Sequence, residues 1–122
     1  MLAEHLDQLT QNFPDCELSA FVDIATGIVL LTNEKGADLR EAADALCAEA
    51  ALMLGSSGAS LLGTGTAPLA IKSDTSHINL FLRSESEADE VLLCHCRKSM
   101  ALEIFLPAAK ACLAQLSEQA KS

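Results

Sequence analysis

The alternation of hydrophobic and polar residues divides the chain into short amphipathic segments. Leucines and Phe13 recur at helical spacing, which predicts an amphipathic N-terminal helix over residues 2–12. Two runs rich in Val, Ile, Leu and Phe follow at residues 18–24 and 28–32, and the short Gly-containing connection between them predicts a β-hairpin. The second run is apolar at four consecutive positions, so neither of its faces favours water. We therefore expect this hairpin at the centre of a sheet with helices on both sides.

A long Ala-rich helix is predicted over residues 39–54, because Asp38 and Glu41 resemble a capping box. One side of this helix is apolar enough to cover a sheet, and it comprises Leu39, Ala42, Ala43, Leu46, Ala50 and Met53. The opposite side begins polar and then turns to small or apolar residues, namely Ala45, Ala48, Ala51 and Leu52.

A helix that is apolar most of the way round is buried on both sides. In a chain of this size the second cover is a copy of the same helix, since Ala allows close approach and a two-fold interface needs a self-complementary patch. This pattern predicts a homodimer. The alternative is that the alanines are present only because Ala has the highest helix propensity, with no second helix packed against them.

The C-terminal half of the chain predicts three further strands and a helix. Residues 55–66 are rich in Gly and Ser and indicate a connector. Residues 66–73 are β-prone and contain Pro68, which suits an edge strand. Residues 77–84 alternate, and residues 90–96 are their hairpin partner across an acidic turn. Ser99 is the predicted cap of the last helix, in which one face carries Leu102, Phe105, Ala109, Leu113 and Leu116. Pro107 lies inside this pattern and predicts a kink or a restart.

The predicted fold class is therefore α+β, with one domain over residues 1–122. Its order is helix-β-β-helix-β-β-β-helix, and a five-stranded antiparallel sheet lies between helical layers.

Composition disfavours nucleic acid and membrane partners. Eight Lys and Arg against seventeen Asp and Glu give a net charge of -9, which opposes phosphate backbones, and there is no Trp or Tyr to stack on bases. The N-terminus lacks the basic and apolar regions of a signal peptide, and no window reaches the roughly 18 apolar residues of a membrane span. Five cysteines, an odd number, argue against a disulfide framework. We expect a cytoplasmic protein.

The cysteines, histidines and glycines that could bind a metal ion or a phosphate do not form a complete catalytic or cofactor site. Cys94 and Cys96 face one side of a strand while His95 faces the other, so buried cysteines are a better explanation than a metal site. Gly58 and Gly63 have phosphate-loop spacing, but Thr64 stands where that loop needs Lys. Nothing in the sequence pairs the three histidines. We predict no catalytic residues, no cofactor and no metal.

The element order resembles that of the roadblock / dynein light chain family. The resemblance rests on the helix over residues 2–13 with its Phe-Pro-Asp-Cys ending, the hairpin over residues 22–30, and the Ala-rich helix over residues 39–55. The strands at residues 78–82 and 91–96 and the last helix complete it. The resemblance covers nearly the whole chain, and one departure from it is Asp15, which stands where such proteins often have Gly after the Pro.

This resemblance implies a non-enzymatic homodimer that binds a Ras-like small GTPase as a regulator or adaptor. Bacterial members include partners that accelerate hydrolysis by a polarity GTPase. The helix over residues 39–54 and the strand over residues 66–72 match the family's two-fold interface, and the dimer-interface residues expected from helix and strand together are Ala45, Ala48, Leu52, Leu69 and Ile71.

Two alternative hypotheses for the function remain. The first is a type III secretion-type chaperone that holds an effector segment, although the long helix follows only two strands here, whereas those chaperones are similar to a three-strand-then-helix order. The second is a redox or metal module built on Cys94 and Cys96.

Overall fold

Three helices and five strands follow one another in the predicted order in the structure, which is a computed structural model describing residues 3–33, 39–54 and 69–120. The elements are α1 (Ala3–Asn12), β1 (Cys16–Asp23), β2 (Ile28–Thr32), α2 (Arg40–Leu54), β3 (Leu69–Ser73), β4 (His77–Arg83), β5 (Glu90–Arg97) and α3 (Leu102–Ala120). The predicted α+β class is confirmed.

The five strands form one antiparallel sheet in the order β2-β1-β5-β4-β3. The strand β5 is central, so the prediction that the β1–β2 hairpin forms the centre is wrong. The pairing of β1 with β5 joins segments far apart in sequence, and no local pattern specifies it. The strand β3 lies at the other edge, as predicted.

The strand β2 is at an edge and is only partly covered. Val29 is buried, but Ile28 and Leu30 are exposed, contrary to the expectation of cover on both faces. The pairing of Phe21 with Leu31 and of Val22 with Val29 leaves Leu30 as the extra residue of a β-bulge. A continuous apolar run therefore reflects a bulged edge strand here and not a central one.

The turn of this hairpin is held by Asp23 and Gly27. The Asp23 carboxylate accepts hydrogen bonds from the backbone N–H groups of Ala25 and Thr26, at 2.9 and 3.2 Å. Gly27 adopts a φ of 74°, a conformation that L side chains rarely adopt. The predicted Gly-containing turn is confirmed.

Two hydrophobic cores lie on the two faces of the sheet. The α1/α3 core packs those two helices against residues such as Phe21, Leu80 and Leu92. The α2 core packs α2 against the opposite face, with residues such as Leu18, Val22 and Phe81. The predicted arrangement of a sheet between helical layers is confirmed.

The sheet-facing side of α2 differs in part from the predicted side. Ala43, Leu46 and Ala50 are buried as expected, and Cys47 and Leu54 are buried with them. Leu39, Ala42 and Met53, which were expected to cover the sheet, are exposed. The buried side of the helix therefore includes Cys47 and Leu54, and it is rotated about the helix axis relative to the side that was predicted to cover the sheet.

The helix α3 begins at Leu102, so the prediction that Ser99 caps it is wrong. The Ser99 hydroxyl instead donates to Asp15 Oδ2 at 3.0 Å, and the backbone carbonyl of Ala101 accepts from Ile104 and Phe105. The helix continues through Pro107 without the restart that was one of the two expected outcomes. Its predicted face packs in the α1/α3 core, where Phe105, Ala109, Leu113 and Leu116 are buried and Leu102 is partly buried.

Several predictions fall on parts of the chain that the structure does not describe. The Asp38 half of the capping box, the connector over residues 55–66 with its phosphate-loop spacing, and Pro68 lie outside the described residues. Within the described ranges, no helix combines the length and the apolar character needed to cross a membrane.

Candidate functional site

Three side chains with metal-ligating groups meet on the α2 face of the sheet, each from a different strand. His95 lies between Cys94 and Cys96, which belong to the α1/α3 core, so its side chain points to the opposite face. On β4, Asn79 pairs with His95, and His77 stands two residues earlier on the same face. Alternation along the strands thus places both histidines on the α2 face.

Glu17 joins these histidines because β1 contains a bulge. Cys16 pairs with Cys96 and Leu18 pairs with His95, which leaves Glu17 as the extra residue. Cys16 packs in the α1/α3 core and Leu18 in the α2 core, although residues two apart on a regular strand share a face. The bulge therefore re-aims the side chains around Glu17.

The contacts among the three side chains are close. His77 Nε2 lies 2.6 Å from Glu17 Oε1, and the rings of His77 and His95 are stacked with centroids 4.2 Å apart and an interplanar angle of 14°. One potential ligand atom from each residue lies within 4.8 Å of the other two. All three residues are partly exposed.

Neighbouring polar groups orient both rings. Asn79 Oδ1 lies 2.5 Å from His95 Nδ1, and because an amide oxygen only accepts, Nδ1 carries the proton and Nε2 the lone pair. The Ser76 hydroxyl lies 2.9 Å from His77 Nδ1. Asp74 Oδ1 accepts from the backbone N–H groups of Ser76 and His77, each at 2.8 Å, and so fixes the turn before β4.

Electrostatics favour a neutral His95. Burial lowers the pKa of His95 below its usual value, and the neighbouring His77 lowers it further. The backbone hydrogen bonds from Ser76 and His77 lower the pKa of Asp74, which therefore stays a carboxylate. Arg97 Nε lies 3.8 Å from Glu17 Oε2 and supplies positive charge at the rim.

The structure brings two of the three histidines into contact, although nothing in the sequence paired them. His77 and His95 are brought together, whereas His5 lies on α1, where its backbone carbonyl accepts from Cys112 Sγ at 3.5 Å. The β4–β5 hairpin register was the signal that could have revealed the His77–His95 pair. Glu17 could not be found in this way, because its position depends on a long-range strand pairing and a bulge.

The cysteines of the Cys94-His95-Cys96 segment behave as the alternation predicted. Cys94 and Cys96 are buried in the α1/α3 core together with Cys16, on the other side of the sheet from His95. Burial helps to raise the pKa of each of these thiols, so they are protonated at neutral pH. Among the described residues, only Glu17, His77 and His95 form a group of three potential metal ligands.

A second surface of interest is the outward side of α2. Ala45, Ala48 and Leu52 recur at helical spacing and are all exposed, and Leu52 is 87% exposed. Large apolar side chains this exposed on a helix are candidates for contact with another molecule.

Leu69 and Ile71 of β3 lie beside this helix but do not share its surface. Leu69 packs partly against the α1/α3 core, and Ile71 is half-exposed on the same face. Lys72 points to the other face, where its Nζ lies 3.0 Å from Glu49 Oε1 on α2. The five residues predicted for a dimer interface thus lie on the outer side of α2 and on the edge strand next to it. Their contact with a second copy of the chain stays a prediction.

Comparisons by sequence find no matching protein-family model and no similar characterised protein. Solved structures do match over nearly the whole chain. The Roadblock/LC7 domain from Streptomyces avermitilis has a TM-score of 0.79 at 14% identity, with 98% of each chain covered. Myxococcus xanthus MglB has a TM-score of 0.72 at 17% identity, covering 97% of this chain and 88% of that one.

The MglC protein from Myxococcus xanthus is also similar, with a TM-score of 0.67 at 14% identity and with 98% of this chain and 99% of that chain covered. The order of the helices and strands and the five-stranded antiparallel sheet agree with these matches. The chain therefore has the roadblock/LC7 fold that its sequence pattern resembled.

Proposed function

We propose that this protein is a non-enzymatic homodimer that binds a Ras-like small GTPase as a regulator or scaffold. The observation that carries the proposal is the exposed small and apolar side of α2, formed by Ala45, Ala48 and Leu52, beside β3, which is an edge strand of the sheet that the described residues form. A roadblock/LC7 fold at 14–17% identity supports the general class, and the GTPase partner comes from the resemblance.

The dimer is proposed to form through α2 and β3 together. The Ala side chains of α2 let a second copy of the helix approach closely across a two-fold axis. Among the described strands β3 pairs only with β4, and pairing of its other edge with a second β3 would satisfy the backbone groups there. Ile71 and Leu69 would be covered near this junction, although they lie on the opposite face of the sheet from α2.

A partner with its own catalytic machinery fits the chemistry of this chain. Thr64 stands where a phosphate loop needs Lys, and the net charge of -9 disfavours direct nucleotide binding. Such a protein would act by positioning the catalytic groups of a GTPase, and the acidic surface would favour basic patches on that partner. We place this activity in the cytoplasm, where five unpaired cysteines are expected to stay reduced.

The dimer is tested by the change Ala48→Glu on the outer side of α2. A carboxylate at this position would be buried in the interface, so we expect a dimer for the unchanged protein and a monomer for the variant. Mass in solution is measured by size-exclusion chromatography with light scattering. Ala111→Glu is the matched control, because Ala111 is exposed on α3, far from this surface in the fold, and should leave a dimer. A dimer that survives Ala48→Glu contradicts the proposed interface.

The partner is tested by a pull-down from source-cell lysate with GDP or a non-hydrolysable GTP analogue, read by mass spectrometry. We expect enrichment of a small GTPase in one nucleotide state, followed by a measurement of its hydrolysis rate with and without this protein. Capture of a secreted effector in both states would favour the chaperone alternative and refute the GTPase proposal. The two strands before α2 speak against that alternative.

A further inference from the structure

We propose that Glu17, His77 and His95 bind a divalent transition-metal ion, with Zn²⁺ the best match. The three side chains come from β1, β4 and β5 of one protomer, so the site goes beyond the proposed function and does not depend on dimerisation.

The donor set matches the chemistry of zinc. Two imidazole nitrogens and one carboxylate oxygen are typical ligands of Zn²⁺, whereas Ca²⁺ and Mg²⁺ prefer oxygen ligands alone. With metal–ligand distances of about 2.0–2.2 Å, tetrahedral ligands stand about 3.3–3.5 Å apart. The three ligand atoms already lie within 4.8 Å of one another, so small side-chain rotations suffice.

Those rotations can be specified. The contact of 2.6 Å between His77 Nε2 and Glu17 Oε1 needs a proton between the two atoms, and the ion would take the place of that proton. The two atoms would then separate to ligand spacing. The stacked rings of His77 and His95 would turn so that both lone pairs converge on the ion.

The groups behind the histidines are those of an outer ligand shell. A metal-bound histidine usually donates its second ring N–H to a carbonyl, carboxylate or water, which fixes its orientation. Asn79 Oδ1 accepts from His95 Nδ1, and the Ser76 hydroxyl, itself 3.4 Å from Asp74 Oδ1, faces His77 Nδ1. Both histidines are thereby held with Nε2 as the ligating nitrogen.

Arg97 carries a positive charge that would repel the ion, and its Nε lies 3.8 Å from Glu17 Oε2. Its side chain is mostly exposed and can turn into solvent when the ion binds. The bound ion would cross-link three neighbouring strands. Three protein ligands leave a fourth position of the tetrahedron for water or for a group from another molecule.

The test is a titration of the chelator-stripped protein, residues 1–122, with ZnCl₂, in which the heat of binding is measured by isothermal titration calorimetry. We expect one equivalent per protomer. The double variant His77→Gln/His95→Gln should lose zinc binding, and Glu17→Gln should bind more weakly than the unchanged protein, because each lacks ligands of the site. Asn79→Ala should weaken binding by about 10–100-fold through the loss of an outer-shell contact. His5→Gln is the control and should bind as the unchanged protein does, because His5 lies on α1.

A second measurement separates this site from the cysteines. With CoCl₂ in place of zinc, we expect visible d–d absorption without the strong near-ultraviolet charge transfer of cobalt thiolates. Circular dichroism and metal-free melting curves show whether each variant is folded. Absence of zinc binding by the folded protein, retention of affinity in a folded double variant, or thiolate charge transfer would each overturn the proposal.

Discussion

Replacing Arg83 with Met should destabilise the protein by about 3 kcal/mol. Arg83 ends β4 and is only 8% exposed. Its guanidinium donates to the carbonyl of Ala88 in the β4–β5 turn and, at 2.6 Å, to the carbonyl of Leu54. Leu54 is the last residue of α2, so its carbonyl has no partner within the helix. One side chain therefore ties the end of α2 to the turn beyond β4.

The magnitude follows from these contacts. Each hydrogen bond from a charged donor contributes about 1.5–3 kcal/mol, and a cation at a helix C-terminus adds about 0.3–1 kcal/mol. The cost of burying the guanidinium, which lowers the pKa of Arg83, offsets part of this sum. Met keeps most of the aliphatic length, so the loss of packing is small. A net loss of about 3 kcal/mol corresponds to a Tm lower by about 10 °C for a domain of this size.

The assay is urea unfolding followed by circular dichroism, at one fixed protein concentration because association shifts apparent stability. Arg40→Met is the matched control. Arg40 Nη2 donates to the carbonyl of Val29 at 3.1 Å and its Nε lies 3.8 Å from Asp44, but the side chain is half-exposed. Its removal should cost less than about 1 kcal/mol. An Arg83→Met loss below that of Arg40→Met would refute the reasoning.

Three further predictions concern the turn, the thiols and alkaline pH. Gly27→Ala should cost about 1–2 kcal/mol in urea unfolding because φ is positive there, whereas Gly27→Asn should cost less; equal losses would contradict this. With a thiol reagent at neutral pH, all five buried cysteines should react slowly in the native protein and rapidly in guanidinium, and one fast native thiol would count against this. Burial raises the pKa of Cys112 from 9.0 to about 11, so between these values the unfolded chain releases a proton that the native state keeps. Stability should therefore fall as pH rises through this window, by up to about 1.4 kcal/mol per pH unit, and less steeply in Cys112→Ala; parallel curves for the two proteins would show that this thiol is not responsible.

Local patterns were sufficient to predict most of the elements. The stripe of Phe105, Ala109, Leu113 and Leu116 predicted the buried side of α3, and the alternation along β4 and β5 predicted a hairpin that the structure contains. These signals depend on residues a few positions apart, where helix and strand periodicity act directly. Ser99 shows the limit even at short range, because its hydroxyl contacts Asp15, which is 84 positions away.

By itself, the sequence determined the order and type of the elements, the two-sided helical cover and the small apolar side of α2. Only the tertiary structure decided that β5 is central, that β2 is a bulged edge strand, and that Glu17 meets His77 and His95. The physical reason is that strand order and bulges follow from the burial and hydrogen bonding of segments distant in sequence. Which strands pair beyond the two local hairpins, such as β1 with β5, is settled by the free energy of the whole sheet between its two cores, and no window of neighbouring residues contains that information.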